Sequence, residues 1–399
     1  MSSAAIISKP RSFAVELDVL RGLAAALMIF NHSGFRLLFP DDVFHSASAF
    51  AVFLGGMAPV LFFFATGFGI ALSSQSGSRP FDLIGLLWKC GLLLLADQFF
   101  FWGRDAAWGI DFFSFIAIST VAVSLIARLK AAIWVCAALI CALIFFRYGI
   151  GDLLQPWVRN HDFAVWLIGR KSIADISYPL SPWMVYPLLG FMLGSFYGPV
   201  SPRVPQPRNR WILIGGVLAT VFLVAAVAMH LEKAIFFRWG SMTLGYFVLS
   251  LSVLFASAVL ALLIVIRSDR LSAWVSLRGV ASFAVIPLHY AMLDAAMELA
   301  SFPQPQWVVA SLTLGILVLS FVGSNFFASL ASGQWMVARK GGVFLAALAV
   351  LIACVTTAVI SMNYHTVPIE VSRFLGQLAI ALLLGLGIPK MVPAARSKG

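Results

Sequence analysis

The stretch at residues 17–35, LDVLRGLAAALMIFNHSGF, decides how the chain is read. It is apolar enough and, with its flanks, long enough for a membrane helix, which needs about 20 residues. Yet it carries Asp18, Arg21 and His32, with Glu16 just before it and Arg36 just after. Ionisable groups at membrane depth are costly, so each is a functional candidate by default. Their spacing is helical. Asp18 and Arg21 stand at i and i+3 and can pair. Arg21 and His32 are separated by close to three full turns, so they share one face. The rise between them is about 16 Å, so they cannot touch. One polar stripe therefore runs along one helix, facing a cavity or a partner helix. As a purely structural ion pair, Asp18–Arg21 would only hold helices together, and a lone intramembrane histidine is more often a satisfied core residue. Sharing the stripe is what gives His32 its weight.

The rest of the chain fits a membrane protein. Of 399 residues, 61% are apolar and 11% charged, and the mean hydropathy is +0.97. Soluble domains sit near 45–50% apolar and about 25% charged. This balance excludes a soluble enzyme, a disordered chain and a nucleic-acid module. The fold expected is an all-α polytopic bundle of about 11–12 spans, with no separate soluble domain. The spans read as 14–38, 47–74, 81–102, 108–127, 131–149, 181–198, 211–230, 241–266, 273–299, 307–331, 342–361 and 370–389. The net charge of +11 reflects Lys and Arg on cytoplasmic loops. With both termini inside, the outer loops hold only Arg104, Arg159, Arg170, Lys171, Lys233 and Arg238. The remaining loop cations, from Lys9 and Arg11 to Arg396 and Lys398, fall on the inner side. Losing one span would invert every later loop and spoil that asymmetry. The N-terminal segment lacks the pattern of a cleaved signal, so the first span is expected to stay and to place the protein in a cell inner membrane.

One integral-membrane domain covers 1–399 in this reading. A first helical half spans 13–198, PVSPRVPQPRNR at 199–210 is a basic Pro-rich linker, and a second half spans 211–389. Cys90, Cys136, Cys141 and Cys354 lie inside apolar runs without metal-ligand spacing, and read as small buried residues.

A second polar set occupies the ninth span, LRGVASFAVIPLHYAMLD. Leu20-Arg21-Gly22 and Leu277-Arg278-Gly279 match, and Arg278 precedes His289 by the same interval that separates Arg21 from His32. An internal repeat with two polar helices facing one site would produce this, and so would chance similarity between apolar helices. Asp294 and Glu298 follow on one face. His45, in the short outer loop FPDDVFHSASAF, is a second candidate general base, or an ordinary solvated loop residue. His161, His230 and His365 fall near the outer surface without clear partners. Lys89, Asp97, Gln98 and Asp111 read as further buried polar groups in spans three and four, of which Asp97 is the best functional carboxylate, with helix packing as its other reading.

The pattern Asp18, Arg21, His32 resembles the acyltransferase-3 family, whose first helix carries an acidic residue, an Arg and then a His. LFFFATGFGIA, with Thr66, Gly67 and Phe68, is similar to the end of that family's next helix. The heparan-α-glucosaminide N-acetyltransferase-like branch of these transmembrane acyltransferases is similar too. It shares the Leu-Asp-x-x-Arg-Gly start, a loop histidine near the place of His45, a Pro-Trp…Gly…Gly helix like YPLSPWMVYPLLGFMLG, and a late helix like SLRGVASFAVIPLHY. The landmarks cover roughly 13–75 and 175–295. The branch's Asp-Leu-Val-Phe-Pro stretch is missing before LFFFATG, and having both His32 and His45 leaves the catalytic histidine open.

The resemblance implies an acyltransferase moving an acyl group, in most cases acetyl, from cytoplasmic acyl-CoA to a hydroxyl or amine of a carbohydrate-like acceptor. It places Asp18, His32 and His45 in the catalytic set, and Arg21 and Arg278 on the coenzyme. It places His289 and Asp97 at the acceptor, and implies no metal. Arg21 would hold polar groups of the coenzyme, with its rotamer fixed by Asp18. The histidine would act as general base or carry the acyl group transiently. The partners expected are acyl-CoA, a sugar or glycan-like acceptor, the bilayer and, as one assembly, a second copy of the chain. Nucleic acid is not among them. The rival from another class is a secondary transporter of a small polar or anionic solute, which twelve spans and a repeat would also suit. Pro59, Pro187 and Pro287 do not fall at corresponding places in the two halves, which disfavours it.

Overall fold

A computed structural model describes residues 15–39, 42, 47–75, 82–102, 111–159, 161, 167, 177–197, 208–231, 242–299, 303–333, 339–364 and 369–387. His45, the side chain of His230, His365, residues 160, 162–166 and 168–176 of the 150–180 loop, linker residues 199–207 and both termini lie outside them.

Runs of Leu, Ala, Val and Phe without internal breakers make helices throughout, because in lipid only a helix satisfies its own backbone within one segment. The first half contains α1 (Val15–Leu37), α2 (Ala47–Gly55), α3 (Ala58–Gln75), α4 (Leu83–Phe101) and α5 (Phe112–Ile126). It continues with α6 (Ala132–Ile144), which runs on into a π-helical turn at Phe145–Gly149, then α7 (Gly151–Arg159), α8 (Leu180–Trp183) and α9 (Val185–Tyr197). The second half contains α10 (Arg208–Leu231), α11 (Leu244–Arg267), α12 (Asp269–Val275), α13 (Ala281–Leu299), α14 (Gln306–Ser332), α15 (Lys340–Tyr364) and α16 (Ile369–Leu386). The chain is an all-α polytopic membrane bundle. Each of the twelve stretches read from the sequence holds a helix. Seven of these helices are long and apolar enough to cross a bilayer, by length and composition. α1 has the length but also carries Glu16, Asp18, Arg21 and Arg36.

α1 lies at the centre. It packs on α2, α3, α11, α12, α13 and α14, thus on both halves of the chain. The periphery is made of helices whose apolar side chains face outward. Within α10 only 11% of the most apolar 18-residue stretch of Arg208–Met229 is buried, against 67% for that of Phe50–Gln75, which covers α3 and the end of α2. Cys141 is exposed, which corrects the expectation that all four cysteines are buried. It sits on α6, where Trp134 and Leu139 also face outward. Lipid covers such faces at no hydrophobic cost, so burial inside protein is not required there. The structure is of a single chain, and nothing in it supports the expected homodimer.

Glycine makes the tightest helix pair. A Cβ on Gly67 would stand 1.8 Å from the carbonyl oxygen of Pro187, and one on Gly190 would stand 2.1 Å from that of Phe64. Only hydrogen fits there, so α3 and α9 meet backbone to backbone. That contact explains the ATGFG and PLLGF motifs as packing surfaces. Gly22 does the same at another seam, where a Cβ would lie 1.8 Å from the carbonyl oxygen of Val275, at the end of α12. The backbone amide of Leu277 then donates to the Asp18 carbonyl oxygen at 3.1 Å. The Asp-x-x-Arg-Gly motif thereby docks the chain that carries Arg278 against the first turn of α1.

The expected span 273–299 is broken. α12 ends at Val275, residues 276–280 are not helical, and Gly279 turns the chain with φ +51°. Such a φ is open to glycine and strained for most other residues. Arg278 therefore sits in a turn before α13, and shares no helix face with His289. The two Leu-Arg-Gly triplets do different work, one in mid-helix and one in a turn, so they are not copies of one helical device.

Candidate active site

The polar stripe of α1 is real and has three levels. At the first, Arg21 Nη1 donates to Asp18 Oδ1 at 2.9 Å. Arg278 Nε lies 3.4 Å from Asp18 Oδ2. The Asp18 side chain is only 5% exposed, so two guanidiniums share one buried carboxylate. A cavity of about 1170 Å³ opens beside this pair. Its charged walls are Arg21, Lys89, Arg278 and Lys340 against Asp18 alone. Thr66, Asn325 and Ser329 add neutral polar groups, and Phe62, Phe113, Phe283 and Ile286 line its apolar part. The excess of cations over carboxylates suits an anionic, phosphate-bearing ligand with an apolar stem. Lys89 and Lys340 come from distant helices, α4 and α15, and nothing in their local sequence marks them as partners of α1.

At the second level, Ile286 on the cavity wall is one helical turn from His289. His289 is fully buried. Its Nδ1 is 3.0 Å from the Val285 carbonyl oxygen. A carbonyl only accepts, so Nδ1 carries the proton. The Nε2 of a neutral His289 is then an acceptor. It faces His32 Nδ1 at 2.9 Å, and so His32 must donate from Nδ1. This leaves His32 Nε2 with its lone pair. Tyr290 OH lies 3.4 Å from that nitrogen. The chain carbonyl–His289–His32 thus sets the tautomer of His32 and makes its Nε2 the acceptor, facing the Tyr290 hydroxyl. Second partners of histidines act in this way where a ring must be held in one state. The His32 and His289 ring planes lie 19° apart with centroids 5.2 Å apart, the near-coplanar arrangement of an in-plane N–H···N bond.

At the third level, one carboxylate again holds two guanidiniums. Asp294 Oδ1 accepts from Arg36 Nη1, and Oδ2 accepts from Arg373 Nη2 at 2.8 Å. The Arg36 guanidinium lies over the Tyr290 ring, 5.1 Å from its centroid. Arg373, on α16, and Tyr290 were not singled out from the sequence. Tyr290 is adjacent to His289 and has a detectable signal in the His-Tyr pair, whereas Arg373 has none.

The expected residues are thus distributed. His32 and His289 are brought together. Arg21, Arg278 and Asp18 are brought together at the opposite end of the stripe. Asp18 is about 21 Å from His32 along the helix, so it does not share a reacting centre with it. Asp97 stands apart from both groups and from the cavity wall. Its Oδ2 accepts from the backbone N–H of Asp111 at 2.9 Å and of Ser114 at 2.7 Å, and its Oδ1 from that of Phe113 at 3.0 Å. It caps the first turn of α5 from the neighbouring helix α4, which is the helix-packing reading of that residue. Among the described residues no cluster of three or more His, Cys, Asp or Glu is placed to hold a metal ion.

Comparison with known families places this geometry. The model of the heparan-alpha-glucosaminide N-acetyltransferase catalytic domain matches residues 14–215, half of the chain. The chain belongs to that family. No curated protein and no solved structure matches it. The family match spans α1 to the first turns of α10, and so includes Asp18, Arg21, His32 and the Gly67–Gly190 contact. Family membership makes the chain a membrane-embedded acetyltransferase. Arg278, His289, Tyr290, Asp294 and Arg373 lie beyond the match, and the fold supplies them to the same stripe.

Proposed function

We propose that the protein transfers an acetyl group from acetyl-CoA, held in the cationic cavity, to a hydroxyl or amine of a carbohydrate-like acceptor at His32. The observation that carries this reading is the Nε2 of His32, made the acceptor of the ring by His289, on the same helix whose first turns carry Asp18 and Arg21 into a phosphate-suited cavity. The coenzyme phosphates pair with Arg21, Arg278, Lys89 and Lys340. Asp18 holds the two arginines in place and acts as a positioning residue. The stem runs inward past Phe113 and Phe283 toward Ile286. The span from Arg21 to His32, about 16 Å, is comparable to an extended pantetheine arm.

The chemistry then balances without a metal. His32 Nε2 takes the acceptor proton as the oxygen or nitrogen attacks the thioester carbonyl. His32 becomes an imidazolium, stabilised through Nδ1–H by His289. The tetrahedral intermediate expels the coenzyme thiolate, which receives the same proton. The products are the acetylated acceptor and free CoA. In the positive-inside orientation the cavity faces the cytoplasm of a cell inner membrane and His32 lies toward the outer side.

The test is acetyl-CoA binding and single-turnover transfer to glucosamine by the purified protein in nanodiscs. His32→Ala is expected to bind the donor and fail to transfer. Arg21→Ala is expected to lose donor affinity, and His45→Ala to retain transfer. Full transfer by His32→Ala would overturn the assignment. Absence of donor binding by a well-folded wild type would move the protein to the transporter class.

A further inference from the structure

The third level of the stripe is left over by this mechanism. Arg36 stands one turn beyond His32 on α1, and Asp294 one turn beyond Tyr290 on α13, so the cluster lies beside the basic nitrogen on the side away from the donor cavity. Asp294 neutralises one of the two guanidiniums and leaves one positive charge in excess. Each guanidinium has five N–H donors, and each spends one on Asp294. Glu298 and Glu370 are exposed and form no ion pair with either arginine. The cluster is also within reach of solvent. The side chains of Arg36, Asp294 and Arg373 are 28%, 29% and 18% exposed. Beneath it lies an aromatic floor, with Tyr290 and Phe100 at 5.3 Å between centroids and Arg373 over Phe100 at 5.9 Å.

We infer that Arg36 and Arg373, held apart by Asp294, are the anion-recognising part of the acceptor site, selecting a sugar that bears a phosphate or carboxylate near the group to be acetylated. The inference rests on acetyl transfer at His32. The fork geometry of each guanidinium matches such an anion, and Asp294 keeps both forks preorganised. The aromatic floor supports the two guanidiniums from beneath. The acceptor would lie between His32 Nε2 and this cluster, while the donor arrives from the opposite end of α1.

The experiment compares glucosamine with glucosamine 6-phosphate, which differ only in the anion. Wild type, Arg36→Gln, Arg373→Gln and Arg373→Lys are assayed for acetyl transfer in phosphatidylcholine nanodiscs. Wild type is expected to favour the phosphorylated sugar about ten- to hundredfold in kcat/KM, the worth of one charge-assisted hydrogen bond. The ratio should fall to near one in both Gln variants and be largely kept in Arg373→Lys. Equal use of the two sugars by wild type, or a ratio that survives both Gln changes, overturns the inference. So does an equal fall for both sugars, which marks a purely structural bridge. Loss of the wild-type ratio when phosphatidylglycerol replaces phosphatidylcholine would give the cluster to lipid headgroups and also overturn it. If no variant transfers acetyl at all, the transferase reading fails by itself. Binding then decides the anion site: tighter binding of the phosphorylated sugar by wild type, lost in Arg373→Gln and kept in Arg278→Gln, upholds it, and equal binding sinks it.

Discussion

Replacing His289 by Phe tests the relay. The ring is fully buried, and Phe fills the space while removing both nitrogens. His32 then loses the acceptor 2.9 Å from its Nδ1. Two things follow. The neutral ring no longer prefers the Nδ1–H tautomer, and the imidazolium formed during transfer loses a hydrogen bond. A hydrogen bond to a charged group is worth about 1.5–3 kcal/mol. At about 1.4 kcal/mol per tenfold, single-turnover transfer should slow by roughly ten- to 150-fold. His289→Gln offers an amide oxygen that can still accept from His32 Nδ1, so it should recover most of the rate. Acetyl-CoA affinity should stay unchanged in both, because Arg21 is three turns from His32 along α1 and Arg278 lies ahead of the first turn of α13. The assay is rapid-quench transfer from radiolabelled acetyl-CoA, with thermal unfolding measured alongside, since reshaping a buried site costs about 1–3 kcal/mol. Wild-type transfer by His289→Phe, in a background where His32→Ala is inactive, would refute the relay. Equal loss in Phe and Gln would also refute it, because only the first lacks an acceptor.

Three further outcomes are expected. Arg278→Gln, at a side chain 60% exposed, should weaken acetyl-CoA binding about tenfold with little change in melting temperature; isothermal titration at two salt concentrations checks both. Gly67→Ala should lower stability by about 1–3 kcal/mol or more, since its Cβ would meet the Pro187 carbonyl oxygen at 1.8 Å, whereas Gly216→Ala, with nothing within 4 Å, should not destabilise; unfolding in detergent separates them. Asp97→Asn should cost about 1–3 kcal/mol of stability by weakening three bonds to backbone N–H groups, while transfer per folded molecule is retained; a specific loss of acceptor use would instead restore Asp97 to the substrate.

What could be read from the chain alone was whatever repeats along a helix. Composition decided the solvent, because 11% charge cannot clothe a soluble surface. The interval from Asp18 through Arg21 to His32 placed a polar stripe on one face, since helical spacing is fixed by backbone geometry. The ninth span misled for the same reason. Arg278 and His289 have the helical interval, but Gly279 at φ +51° breaks the helix between them, and apolar periodicity does not register one turn. Asp97 was open to two readings because nothing in LLLLADQFFF tells that its carboxylate meets the first turn of the next helix.

Tertiary structure decided which polar groups meet. His32 and His289, 257 residues apart, come to 2.9 Å only because α1 and α13 pack side by side. The direction of that hydrogen bond, and hence which nitrogen of His32 is basic, depends on a third group, the Val285 carbonyl. Arg373 reaches Asp294 from α16, and Lys89 and Lys340 reach the cavity from α4 and α15, with no mark in their own neighbourhoods. A sequence displays the polar groups carried by one helix. It does not display contacts between helices, because those depend on where small residues such as Gly22, Gly67 and Gly190 let backbones approach.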